Sequence, residues 1–478
     1  MGVNRTEPPG QEGAVLSQAQ GADSPASAAD LTNRLASYMV AARDQGLPPK
    51  VLLDAKHHIL DTLAAMVSGA RLKPGEMAIS FVRTQGGVPE ASVVTTDIKT
   101  SAINAALVNG MFAHADETDD YELVTKTHPG SCVVPAALVM AERENRSGMD
   151  LIRAVVLGYD LCCRFLIALG PNLVRAAHRS VEGPSSTIGS MAAAASLARL
   201  DQTGMHYALS YAAQQVSGLW SWVRDADHIE KAFDFTGMGS RNGISAVLMV
   251  QHGLTGVRDI LTGEHNVLDA FSVKPQPEEM VAGLGSRFYV SETAIKTFSV
   301  GYPIQSALDA FLTLRREHGL RLDNVDRIVV RLPEDAGRIV NNRLMPDVNC
   351  QYNIAVALLE GGVSFAHSHS QEHMADPQVR SVMQRVQLVP DRELMDPEAP
   401  RSALVEVTLR DGRMVSHFTR YAPGTKQNPL DTERVNAKAR DLMTPVLGTK
   451  RTEALIEQVN ALEEVGSMRE LIRSLLTV

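Results

Sequence analysis

From about residue 30 to residue 290 the sequence runs as a succession of helix-length segments. Several are apolar on nearly every side, as in Ala192 to Leu200. A helix without a polar face is stable only where other helices surround it, so this stretch has to fold as an all-α unit with a buried middle. Asp30 is the expected N-cap of the first helix, ahead of Leu31, Leu35, Tyr38, Met39 and Ala42 at helical spacing. A second helix runs from about Pro49 to Ser68, with Val51, Leu52, Ala55, Ile59, Leu63 and Met66 on one side and Gly69 to end it. The same spacing predicts helices over 101–112, 133–144, 149–169, 187–199, 203–219, 240–253 and 256–262. Composition agrees: aromatics are 5% while hydrophobic residues reach 44%, a balance suited to packed helices.

After about residue 290 the apolar period changes. Pro303 opens a helix carrying Ala307, Leu308, Phe311 and Leu312, which Gly319 stops. Arg327 to Leu332 then reads as a strand. Val405, Val407 and Leu409 alternate with Glu406, Thr408 and Arg410, and Asp411-Gly412 supplies hairpin turn chemistry before Met414 to Phe418. A helix near Tyr352 to Glu360 and another from Asp376-Pro377 lie between these strands. Helical spacing returns at Asp431 and includes a Ser467-x-x-Glu470 capping box. A chain of 478 residues exceeds one ordinary core. The expected fold is mainly α: a disordered tail over 1–28, a helical domain over 29–290, an inserted α+β domain over 291–430, and a helical segment over 431–478 that packs back on the first domain.

Charge and cysteine usage narrow the function. A formal charge of -9 with no Lys/Arg-rich run argues against nucleic acid, whose phosphates need a basic face. A small anionic substrate is compatible with it, because local cations can work against a negative global field. Cys132, Cys162, Cys163 and Cys350 show no ligand-like spacing, so reduced thiols and a cytoplasmic location are expected. No uncharged apolar run is long enough to span a membrane. The first 28 residues, rich in Gly, Pro, Ala, Ser and Gln, carry neither a signal-type apolar core nor an Arg-rich amphipathic face.

The candidate site centres on residues 113–137. His114 and His128 bracket Asp116, Glu117, Asp119, Asp120 and Glu122, with apolar helical runs on both sides. Carboxylates and imidazoles held together in a cleft exchange protons near neutral pH, because burial and neighbouring charges shift their pKa values. An acidic surface loop that caps the helix after it gives the same pattern.

Further along, Lys231 precedes the small-residue stretch Thr236 to Gly239 and a helix expected from Ser240; with Arg241 it would place cations at a helix N-terminus, which favours anions. Lys296 stands at the start of the second unit, and Tyr352 follows Gln351 at the head of an apolar helix. Taken alone, the first reads as an ordinary surface lysine and the second as a buried, hydrogen-bonded tyrosine. His367, His369 and His373 superficially resemble metal ligands, but their Ser/Gln surroundings read as a loop and no metal site is expected. Gly237-x-Gly239 follows no strand, so it does not support a dinucleotide site.

Taken together in this order, these segments resemble the MmgE/PrpD family. The matching residues are His114, Glu117, Asp119, Asp120 and His128-Pro129 in the acidic loop; Lys231 with Arg241-Asn242-Gly243; Lys296 with Pro303 to Asp309; and Gln351-Tyr352. The similarity covers about residues 30 to 478. It implies a large helical domain built from both ends of the chain, an α+β lid, a site between the two, a homodimer, and no need for an organic cofactor or a metal. Glu117 stands where the family often has Asp, and Tyr121 where it often has Thr. The family's His-Pro-Thr segment is here Gly183-Pro184-Ser185.

The chemistry implied is proton transfer at a carbon next to a carboxylate. Such a C–H is a weak acid, so cations and hydrogen bonds must stabilise the developing charge. The expected catalytic residues are His128 as leading acid or base, Tyr352 across the cleft, Lys231, and Glu117 with Asp120 tuning His128. Lys296, Arg241, Tyr121 and His114 are the expected substrate contacts. A hydro-lyase acting on a 2-methylcitrate-like polycarboxylate is the favoured reading. An epimerase or decarboxylase is the runner-up, and a carboxylate-binding pseudoenzyme or a metallohydrolase built on the later histidines are the rivals.

Overall fold

The helix Glu182–Leu197 is buried along its whole length. It lies against the helices Pro129–Arg143, Gly148–Leu169 and Met238–Gln251, as a segment with no polar face requires. Small residues set how close these helices come: a Cβ built on Gly239 would stand 2.1 Å from Ser186 Oγ. The computed structural model describes Gly2 and residues 25–477, with the side chains of 25–30 left aside. One apolar core draws on Leu31 to Ile295 and again on Leu430 to Leu476. A second gathers Val300 to Leu409.

The second core lies under a four-stranded sheet in the order Val386–Asp391, Val325–Pro333, Ala403–Leu409, Met414–Thr419. Val386–Asp391 runs parallel to Val325–Pro333 and the other pairs are antiparallel. Along Ala403–Leu409 the alternate residues Ala403, Val405, Val407 and Leu409 are buried, the period that marked it as a strand. The helices Gln305–His318 and Cys350–Glu360 pack against this sheet. Near the C-terminus, Thr432–Leu447 packs on Pro49–Gly69. Its Lys438 reaches Asp61 at 2.6 Å and donates to the Thr118 carbonyl at 2.8 Å, so the last part of the chain supports the acidic loop from beneath.

Several expectations need correcting. The first helix is Pro25–Ala42, so Asp30 lies inside it rather than capping it; proline at a first helical position followed by alanines extends a helix backwards. The rest of the expected disordered tail, apart from Gly2, lies outside the described residues. Residues 256–262 form turns rather than a helix. The small-residue stretch before Ser240 is not a turn: Ile229–Ala232, a π-helical segment Phe233–Gly237 and Met238–Gln251 follow one another without a break. Its glycines serve helix packing. The strand Val386–Asp391 was not expected, because Pro390 suits only an edge position and little alternation marks the segment. Among the described residues no helix is long and apolar enough to cross a membrane.

Candidate active site

The helix Ala102–Ala113 stops at His114, and Pro129–Arg143 starts directly after His128, with Pro129 at its first position. The loop between them is buried from His114 to Glu122, so it is not a solvated surface loop. Burying five carboxylates is costly unless each finds partners, and they divide into two sets.

Three of them hold the loop's shape. Asp116 accepts from the backbone N–H of Thr118 at 3.0 Å and its hydroxyl at 2.5 Å. Glu122 accepts from the N–H groups of Val124 (3.2 Å) and Thr125 (2.6 Å). Asp120 Oδ2 lies 2.7 Å from His58 Nδ1 and takes the Tyr159 hydroxyl at 2.6 Å, while its Oδ1 takes the Gly130 N–H at 3.0 Å. Asp120 thus ties the loop to two core helices and to the N-terminus of a third. It does not face His128 as the sequence suggested; its neighbour Asp119 does.

Asp119 and Glu117 form the second set. Asp119 Oδ2 lies 2.9 Å from His114 Nδ1 and 3.2 Å from His128 Nδ1, and its Oδ1 is 3.7 Å from Lys296 Nζ. Glu117 pairs with Lys231 and, at 3.5 Å, with Lys296, which also donates to the Glu117 carbonyl at 2.8 Å. Burial opposes both charges, yet Lys231 and Lys296 outweigh it for Glu117, and His114, His128 and Lys296 for Asp119; both carboxyls are held well below the usual carboxylate range. Lys296 is fully buried, and its pKa is raised against the pull of burial by Asp119 and Glu117. Burial brings His114 down from 6.5 to about 4, so its imidazole is neutral at physiological pH.

Aromatic rings wall this cluster. His114 stacks on Phe235 at 4.4 Å, His114 and His128 stand edge to face at 4.7 Å, and Lys231 Nζ sits 4.9 Å from the Phe235 centroid. Tyr121 meets His128 edge-on at 5.4 Å and stacks on Tyr302 at 4.4 Å. The structure therefore brings together His114, Glu117, Tyr121, His128, Lys231 and Lys296. Two expected members lie elsewhere. Arg241, on the continuous helix rather than at a turn, bonds Asn242 Oδ1 at 3.2 Å and faces Phe233. The Tyr352 hydroxyl donates to the His367 carbonyl at 2.6 Å and lies 3.0 Å from His373 Nδ1, so it reaches no group of the cluster.

Other members carried little or no signal in the sequence. His58 and Tyr159 sit on ordinary buried helix faces, and His228 is buried in the bend before Ile229–Ala232. Asp347 of the inserted unit is buried, and burial pushes it up to about 6, with His369 opposing the shift and Glu117 and Asp116 adding to it. His369 crosses from the same unit to Asp116, with Nε2 2.8 Å from Oδ2. Burial opposes its charge, but Asp116 and Asp347 prevail and raise it from 6.5 to about 9. This pair's stabilisation is fully present below 6.5 and is lost as pH rises through about 9. The unfolding midpoint of the wild type should exceed that of His369→Gln at neutral pH, and the gap should close above that value. A gap independent of pH would contradict the pairing.

Gly183, where the resemblance calls for histidine, has no room for any side chain: a Cβ there would lie 2.0 Å from the Ser217 carbonyl oxygen. Gly183→Ala should cost about 1–3 kcal/mol of stability through overpacking, measured by chemical unfolding.

Among the described residues two groups could hold a metal ion by geometry, His114 with Asp119 and His128, and His114 with Glu117 and His228. The carboxylate of each already faces a lysine ammonium. A divalent cation there would meet that positive charge, so an anion is the better fit for the space they border. His367 and His373 stack at 5.3 Å while His369 turns to Asp116, so the three later histidines do not converge.

Comparison with known proteins agrees with this architecture. The MmgE/PrpD N-terminal domain matches residues 33–280, more than half of the chain, and the MmgE/PrpD C-terminal domain matches residues 298–464. The cis-aconitate decarboxylase-like protein oryM of Aspergillus oryzae is 25% identical over 477 residues, covering 93% of this chain and 96% of the relative. A cis-aconitate decarboxylase of Aspergillus terreus is 25% identical over 462 residues, covering 90% and 92%. Another from the same species is 24% identical over 489 residues, covering 95% and 98%. The chain belongs to the MmgE/PrpD family of enzymes.

Proposed function

We propose that this enzyme is a lyase acting on a small di- or tricarboxylate, with His128 moving a proton at a carbon next to a carboxylate. The observation that carries the reading is the buried cluster in which two lysines and two imidazoles share Glu117 and Asp119. An incoming substrate carboxylate competes with those side chains for the Lys231 and Lys296 ammonium groups. His128, in the same cluster, is then placed to give or take a proton at the neighbouring carbon. Asp119, on His128 Nδ1, leaves Nε2 for the substrate.

The names of the relatives favour decarboxylation over the hydro-lyase reaction expected from sequence. In that reaction the C–C bond to the departing carboxylate breaks, carbon dioxide leaves, and the electron pair stays on carbon. The lysines stabilise the charge, and His128 then protonates that carbon. Dehydration would use the same imidazole first as a base. On this reading 29–290 with 431–478 form the body and 291–430 the lid, and the enzyme is a homodimer, which light scattering would check.

The test is a mass-spectrometric screen of citrate, methylcitrate, aconitate and amino-dicarboxylates. Loss of carbon dioxide from an aconitate supports the reading. Loss of water or a change of stereochemistry moves the assignment within the class. Binding with neither turnover nor uptake of solvent deuterium would overturn it in favour of a carboxylate-binding protein.

A further inference from the structure

A cleft of about 830 Å³ opens between the two units on the far side of Tyr121, and Lys126, Tyr302, Asp335 and Arg401 line it. Other charges along this cleft are locally matched: Arg420 pairs with Asp396 and Glu398, and Lys426 with Glu292. The wall nearest Tyr121 is not matched. Asp335 is shared by Arg401, at 3.1 Å, and Lys126, at 3.6 Å, while Arg401 otherwise meets the uncharged Pro400 carbonyl and Tyr121 hydroxyl. Arg175 adds a third cation acting on Tyr121 and Lys126; against it stand Glu182 and, lining the cleft itself, Glu122, and burial pushes both carboxyls toward neutrality. The wall therefore carries surplus positive charge.

Hydrogen-bonding capacity is left over in the same place. The Arg401 side chain is only 6% exposed and its Nε has no partner; the Tyr302 hydroxyl is buried without one. Buried polar groups are normally paired, so two unpaired ones beside an excess of cations point to an anion that completes them. Lys126 is held at φ 63°, a left-handed conformation that a lysine adopts only under constraint, with its N–H donated to the Glu122 carbonyl at 2.8 Å. Ring-to-ring steps of 4.4 Å from Tyr302 to Tyr121 and 5.4 Å from Tyr121 to His128 connect this wall to the proton-transfer cluster.

We propose that Arg401, Lys126 and Tyr302 form a second carboxylate subsite, which takes the far end of a polycarboxylate whose reacting carbon lies at His128, with Tyr121 as the wall between. The proposal rests on the reading of the substrate as a polycarboxylate. It makes Tyr121 and Arg401 determinants of substrate length.

Calorimetry tests it without relying on turnover. The probes are propane-1,2,3-tricarboxylate, which has neither a leaving hydroxyl nor a double bond, propionate for a single carboxylate, and inorganic phosphate for a generic anion. Arg401→Gln should weaken tricarboxylate binding by roughly ten- to hundredfold, the usual effect of losing a charged partner. Lys126→Gln and Tyr302→Phe should weaken it severalfold and Asp335→Asn should strengthen it, with propionate binding unchanged throughout. The opposite sign for Asp335→Asn is what a purely structural role would not produce. Should Arg401→Gln fail to fold, Lys126→Gln and Tyr302→Phe carry the same test. The proposal is overturned if the wild type does not bind the tricarboxylate, or if these variants bind it as the wild type does. It is equally overturned if phosphate binds as tightly and is lost in parallel, which would make the place an inorganic-anion site only. Absence of any lyase reaction, with the tricarboxylate still lost on Arg401→Gln, would sink the function and leave the subsite standing.

Discussion

His128→Gln lowers turnover by roughly 10²–10⁴-fold, the usual contribution of one positioned acid or base, and leaves the unfolding midpoint close to that of the wild type. Both halves of this expectation follow from how Asp119 is shared. Its carboxylate keeps His114 at 2.9 Å and Lys296 at 3.7 Å when the second imidazole is removed, so no buried charge is stranded. The proton, by contrast, has no substitute carrier: His114 is fully buried, with its ring against Phe235. Turnover is read as release of carbon dioxide or water from whichever polycarboxylate the screen identifies, and incorporation of solvent deuterium at carbon should fall in step. Asp119→Asn should reduce turnover as well, and the double variant should be little worse than either single one, because both act through one imidazole. Wild-type turnover by His128→Gln would refute the assignment.

Asp120→Ala has the reverse profile, costing about 3–5 kcal/mol of stability, the magnitude seen when one partner of a buried charged network is removed. Three buried groups lose their acceptor together: His58 Nδ1, the Tyr159 hydroxyl and the Gly130 N–H, at 2.7, 2.6 and 3.0 Å. An unmet buried polar group costs about 1–3 kcal/mol, so the sum has the right size without any contribution from chemistry. Chemical unfolding followed by far-ultraviolet circular dichroism measures it. If Asp120→Ala were as stable as the wild type but inactive, the carboxylate would belong to the reaction rather than to the scaffold. The contrast with its neighbour is sharp because the two residues are adjacent in sequence and face opposite ways.

That division of labour explains how a loop so rich in carboxylates can be buried at all. Asp116, Asp120 and Glu122 are held by backbone amides, hydroxyls, His58 and His369, which shape the loop, and Glu117 and Asp119 are left to meet Lys231, Lys296, His114 and His128. Substrate then has to enter a network already neutralised from within. Lys438 adds support from the end of the chain, through Asp61 and the Thr118 carbonyl. His369 adds it from the inserted unit, through Asp116. Residues far from the loop in sequence thus decide which of its side chains remain free.

The sequence by itself determined most of the elements and their order, because period is a local property; the strand Val386–Asp391 and the absence of a helix over 256–262 escaped it. A segment that is apolar on every side can only be an interior helix, as Glu182–Leu197 is, and alternation at Val405, Val407 and Leu409 with a Gly412 turn can only be a hairpin strand. It also located the acidic loop, whose charges stand out between apolar helices, whereas His128, Lys231 and Lys296 were singled out together only by the resemblance to the family. What only the tertiary structure decided is direction. In an irregular loop the orientation of each side chain depends on partners such as His58, Lys296, His369 and Lys438, which no spacing within the loop reveals. That is why Asp119, not Asp120, faces His128. It is also why a glycine-rich stretch that looks like a turn runs on as helix: the absent Cβ atoms make room for a neighbouring helix, and that neighbour is known only once the chain has folded.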